Sequence, residues 1–164
     1  MIRKDLSIVT ILVLISVAAV GLPMARAQEG KVVGSKEESK WSPTTTASAT
    51  SPENKKALEK GKPITVTGEI VDASCYIQLG KKGTAHIDCG RQCIMNGQPV
   101  GVVDGKDQLY LIMAEQHDPR KLGKVDIKKI FADLMAKTVT VNGIMNEAGG
   151  VKTIYVQGRI EEAK

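Results

Sequence analysis

The chain has 164 residues, 23 basic and 18 acidic side chains and a net charge of +5, with one Trp, three Tyr and one Phe. So mild a positive balance with so few aromatic rings excludes a nucleic-acid footprint, which needs clustered Lys/Arg and rings on which bases stack. Three cysteines allow at most one intrachain disulfide and leave one thiol over.

Residues 1–27 read as a secretory signal. Arg3 and Lys4 form a positive start, Ile8 to Val20 is an uncharged apolar run, Gly21 and Pro23 break it, and Ala25-Arg26-Ala27 is an A-x-A cleavage site before Gln28. The run is short for a bilayer span of about 20 residues, so a membrane association is expected only if the segment stays uncleaved. The expected location is the periplasm or outside the cell. Cleavage takes three positive charges (Arg3, Lys4, Arg26) and one negative charge (Asp5) off the net +5, leaving +3.

Residues 28–60 read as a disordered linker. The stretch from Trp41 to Lys56 is rich in Ser, Thr, Pro and Ala, and such a composition buries too little apolar surface to offset its ordering entropy. Trp41 is the exception, able to dock on the domain or a partner.

Residues 61–162 are expected to form one domain. Apolar and polar residues alternate through Ile64, Val66 and Ile70, and Pro99 to Val103 and Gln108 to Met113 read as two further strands, with Asp104-Gly105 as a hairpin turn between the last two. Ile127, Ile130, Phe131 and Leu134 stand at helical spacing within 126–136, with Lys128 and Lys129 on the exposed face. Val139, Val141 and Ile144 mark a fourth strand, and Val151 to Ile160 a fifth, joined by a turn over 146–150. Strand, strand, strand, helix, strand, strand is the order of a small five-stranded OB-like barrel with its helix between strands 3 and 4. The fold class is therefore mainly β, with a small sandwich as the alternative.

The segment between strands 1 and 2 holds every cysteine and one of the two histidines, as C-x10-H-x2-C-x3-C. A short helix over 85–96, capped by Thr84 and closed by Gly97 and Pro99, puts His86, Cys89 and Cys93 at i, i+3 and i+7, on one stripe. Cys75, from the end of strand 1, would approach that stripe. Three thiolates and an imidazole are a tetrahedral donor set for zinc, with copper(I) as the alternative that soft thiolates also select. The expected metal ligands are Cys75, His86, Cys89 and Cys93, with Asp72 and Asp88 able to accept from the His86 ring N–H. Two other readings stay open: a disulfide from Cys75 to Cys89 or Cys93 with one free thiol, and a redox or nucleophilic cysteine beside His86. We expect no catalytic residues, since C-x-x-C and Cys-His-Asn patterns are absent. The scattered methionines read as packing, with Met113 and Met135 at core positions, and His117 as a solvated loop residue. The expected partners are a metal ion and another exported protein.

Gly68, Asp72, Cys75, Tyr76, Gly80, Gly83, His86, Cys89, Cys93, Gly97 and Pro99, in C-Y-x3-G-x2-G-x2-H-x2-C-x3-C-x3-G-x-P after G-E-I-V-D, resemble a set of small exported bacterial proteins with no established activity. The resemblance covers about residues 64–112, and the last hairpin is similar to bacterial OB-like domains. It implies a unit built around the Cys/His segment and no particular chemistry.

Overall fold

A computed structural model of the chain describes residues 31–115 and 127–157. In chain order the elements are β1 (Lys31–Val33), α1 (Pro43–Ser48), α2 (Pro52–Lys60), β2 (Lys62–Asp72), α3 (Ala73–Leu79), a 3-10 turn (Thr84–His86), α4 (Ile87–Met95), β3 (Val100–Asp104), β4 (Leu109–Ala114), α5 (Ile127–Asp133), β5 (Thr138–Ala148) and β6 (Val151–Val156). Strand β2 pairs antiparallel with β3, and β3 with β4; β4 then runs parallel to β6, β6 antiparallel to β5, and β5 antiparallel to β2. These five strands close into the expected OB-like barrel, with α5 between its third and fourth strands. A sixth strand, β1, lies outside the ring and pairs in parallel with β5, Val33 opposite Val141.

The alternation that marked the strands is the alternation that fills the barrel. Val66 and Ile70 of β2, Val102 of β3, Ile112 of β4, Val139 and Val141 of β5, and Ile154 of β6 are buried around Phe131 and Leu134. Full burial of such a side chain contributes about 1.5–3 kcal/mol, which is what makes one register far better than its neighbours. Lys128 and Lys129 face solvent, as expected for the polar side of α5. Met135 is in the core at 1% exposure, but Met113 is 40% exposed and is not a core residue.

The expected linker is largely structured. Two Ser-Pro pairs that read as low complexity are helix starts: Ser42 Oγ accepts from the Thr45 N–H ahead of α1, and Ser51 Oγ from the Asn54 N–H ahead of α2. Proline follows each cap at the first helical position, where it gives up no helical bond. Trp41 docks on the barrel, edge-on to Tyr155 with ring centroids 5.1 Å apart, and its Nε1–H donates to the Leu58 carbonyl at 2.9 Å. The buried Ser42 donates from both its N–H and its hydroxyl to Glu115 at 2.9 Å. Sequence composition missed this because the anchoring contacts span the chain, Ser42 to Glu115 and Trp41 to Tyr155.

One turn also differs. The β3–β4 connection is longer than a two-residue hairpin: the Asp104 N–H bonds to the Gln108 carbonyl, and Asp107, not Gly105, takes the left-handed conformation at φ 57°. Asp104 supports it by accepting from the backbone of Lys106 and Gln108. The fifth strand ends at Val156, so the expected extension to Ile160 lies beyond the described residues, as do the signal segment, Asp126 and His117. Among the described residues no helix is long and apolar enough to cross a membrane.

Candidate metal centre

The centre is assembled where β2 leaves the barrel. Asp72, the last residue of β2, is wholly buried, and its two carboxylate oxygens accept from the N–H groups of Ser74 (3.0 Å) and Cys75 (3.3 Å). That cap starts α3, a helix absent from the sequence expectation, so Cys75 stands at the third position of a helix and not at a strand end. The helix closes on Gly80 at φ 64°, and its first residue is tied to the barrel by the Ala73 N–H on the Pro99 carbonyl. The loop that follows is held from two sides: the Gly83 N–H donates to Glu69 Oε1 on β2, and Lys82 pairs with Asp107 at 2.8 Å.

His86 ends the 3-10 turn and occupies the N-cap position of α4. Thr84 does not cap: neither the turn nor α4 has a side-chain cap bond. The C-terminal signal reads true. Gly97 is left-handed at φ 99°, its N–H bonds to the Ile94 carbonyl, and the Gln98 N–H bonds to the Cys93 carbonyl, the paired closure that a residue without Cβ permits. One face of α4 packs inward through His86, Gly90 and Ile94, all buried. A Cβ on Gly90 would lie 2.6 Å from Met135 Cε, so this position sets how closely α4 approaches the chain after α5. Arg91 pairs with Asp133 across the same contact at 2.9 Å.

The four expected ligands are brought together around Cys75, in two overlapping groups. Ligand atoms of Cys75, His86 and Cys89 lie within 4.8 Å of one another, and so do those of Asp72, Cys75 and Cys93. Asp72 is the donor that sequence reasoning placed one step too far out. Its Oδ2 is 4.0 Å from His86 Nε2, too long for the expected hydrogen bond, and its oxygens are engaged with α3. The pattern Asp-x-Ser-Cys at the end of a strand was the available signal for this cap. Asp88, the other expected acceptor, is exposed on α4.

The three cysteines are free thiols, Cys75 and Cys93 half-buried and Cys89 exposed. The Asp72 carboxylate, accepting from the Cys75 thiol, pushes the Cys75 pKa up to about 12, with burial and the nearby Cys93 adding to it. Burial first, and then the Asp72 charge, raises Cys93 above its ordinary value. Without a cation these two thiols therefore hold their protons; a bound divalent ion reverses that balance and deprotonates a coordinating thiol outright. His86 gives the second sign of an ion. It is 4% exposed, and its Nε2 has no hydrogen-bond partner. A buried polar atom left unpaired costs about 1–3 kcal/mol, and a metal bond at that nitrogen satisfies it. Thiol, imidazole and carboxylate donors so grouped can hold a metal ion.

Compared with protein-family models, curated proteins and solved structures, the chain matches none of them.

Proposed function

We propose that the protein is an exported metal-binding module in which Cys75, His86, Cys89 and Cys93 hold one zinc ion in a Cys3His site. The observation that carries this reading is the buried, unpartnered Nε2 of His86 beside thiols that share Cys75 as a common member. Zinc suits the mixture of imidazole and thiolate, and copper(I) is its competitor for the same sulfurs. The ion would join α3 to α4 and fix the surface these helices present, a surface suited to another exported protein. The signal-like residues 1–27 and the resemblance to exported proteins support a periplasmic or secreted location. An OB-like barrel by itself assigns no activity, and the reading rests on the centre alone.

Metal analysis of the mature protein, with thiols counted on the same sample, tests it. The expected result is about one zinc per chain, with thiols that react fully only after chelation. Cys75 belongs to both groups, so Cys75→Ser is expected to weaken binding by about 100-fold or more while the barrel keeps its circular dichroism. A metal-free protein carrying one disulfide would sink the reading and leave a bridged domain in its place.

A further inference from the structure

The donor set is larger than one tetrahedral ion needs. Four protein ligands close such a site, whereas Asp72, Cys75, His86, Cys89 and Cys93 all stand in the two groups that meet at Cys75. Their exposure is unequal. Asp72 and His86 are buried, Cys75 and Cys93 are half-buried, and Cys89 is open to solvent.

The inner donors are also fastened by protein contacts of their own. Asp72 is held by the backbone of α3, and Cys75 by its place in that capped helix. His86 is held by its N–H on the Gly83 carbonyl, and Cys93 by the closure of α4 and the burial of Ile94 next to it. A purely structural zinc site keeps all four of its protein ligands in place. Here a single cysteine stands at the surface, and the capping carboxylate of Asp72 lies within reach of the inner sulfurs.

Building on the metal-binding reading, we infer that the ion is exchangeable cargo, passed to a thiol-bearing acceptor, with Cys89 as the outgoing ligand and Asp72 as the donor that holds the ion during the exchange. The acceptor thiol bonds to the ion, the bond from the ion to Cys89 Sγ breaks, and the acceptor's proton ends on Cys89. The number of thiolates on the ion is unchanged and no electron is transferred. Repetition at Cys93 and Cys75, followed by release of the neutral His86 imidazole as water or a further acceptor ligand takes the fourth position, completes the transfer. Asp72 can bridge the gap because its group contains the two cysteines that remain.

The test uses the zinc-loaded mature chain, dialysed against a chelating resin that cannot touch the protein. Glutathione is added in one arm and a zinc-free Cys-x-x-Cys peptide in the other. The expected result is a loss rate that rises in proportion to thiol, at least about tenfold over the thiol-free rate; the arm that acts at lower concentration identifies a small-molecule or a protein acceptor. Asp72→Asn keeps a good helix cap but removes the charged donor. It is expected to slow thiol-driven loss about tenfold, measured per bound zinc. Cys89→Ser, at an exposed position, is expected to bind one cobalt(II) with the thiolate absorption lowered by about a third, two sulfurs in place of three. A loss rate independent of thiol, Asp72→Asn exchanging at the wild-type rate, or Cys89→Ser binding no cobalt would each overturn the exchange role. A wild-type protein that takes up no zinc before thiol is added would instead sink the metal reading itself.

Discussion

Among the described residues two carboxylates are buried, and their surroundings differ. Glu115, at the end of β4, is 3% exposed and accepts from the Ser42 N–H, the Ser42 hydroxyl and the Gln157 amide. Asp72, at the end of β2, is met by two backbone N–H groups on one side and faces thiols and an unpartnered imidazole nitrogen on the other. The first cluster is closed by protein and ties the N-terminal segment to the barrel. The second keeps donors of the kind a cation satisfies. A buried charge is therefore not by itself a functional signal here; what surrounds it decides.

The largest expected effect on this contrast is metal removal. Chelation should lower the melting temperature of the loaded protein, by an amount equivalent to about 4 kcal/mol when free zinc stood 1,000-fold above its dissociation constant. A melting curve unmoved by chelation, with metal demonstrably removed, would break the contrast. Next comes Ser42→Ala, which removes an N-cap and a hydroxyl donor to a buried carboxylate. It should cost about 2–3 kcal/mol in denaturant unfolding and leave zinc content unchanged. If zinc content falls as well, the two clusters are coupled.

A subtler effect concerns pH. In the metal-free protein the folded state holds Cys75 as a thiol up to about 12, against an ordinary value of 9.0. The unfolded chain thus loses its proton first as pH rises. The stabilisation from the raised pKa is complete below about 9 and is lost between there and 12. Urea titrations from pH 8 upward should show that loss in the metal-free protein and much less of it with zinc bound, where the thiol is already ionised. The smallest effect belongs to Lys82→Ala. The pair with Asp107 is exposed and screened by solvent, and its removal should change neither stability nor metal content beyond error.

The barrel was legible because its strands alternate through residues such as Val66, Ile70, Val139, Val141 and Ile154 that all reach one core. Spacing pointed to the neighbourhood of Cys75 with His86 and Cys89, whereas Cys93 groups with Cys75 and Asp72 and not with His86 on one stripe. Helix α3 was not legible. Only Ala73 of its residues is buried, so no apolar period marks it, and it exists through its caps at Asp72 and Gly80. With α3 unseen, Asp72 could not be placed among the donors. The N-terminal segment was missed for a related reason. Its order rests on one ring and one serine that find partners far along the chain, at Tyr155 and Glu115, and composition within a window does not contain such contacts.

The docking of Trp41 has a practical consequence. It is the only tryptophan in the chain, and it lies against Tyr155 with its indole N–H on a backbone carbonyl. Intrinsic fluorescence excited at the red edge therefore reports one event, the seating of the N-terminal segment on the barrel, while far-ultraviolet circular dichroism reports the strands. A protein whose emission shifts at lower denaturant than its dichroism would be one that sheds its N-terminal segment before its barrel opens, and the two signals can be read from the same cuvette.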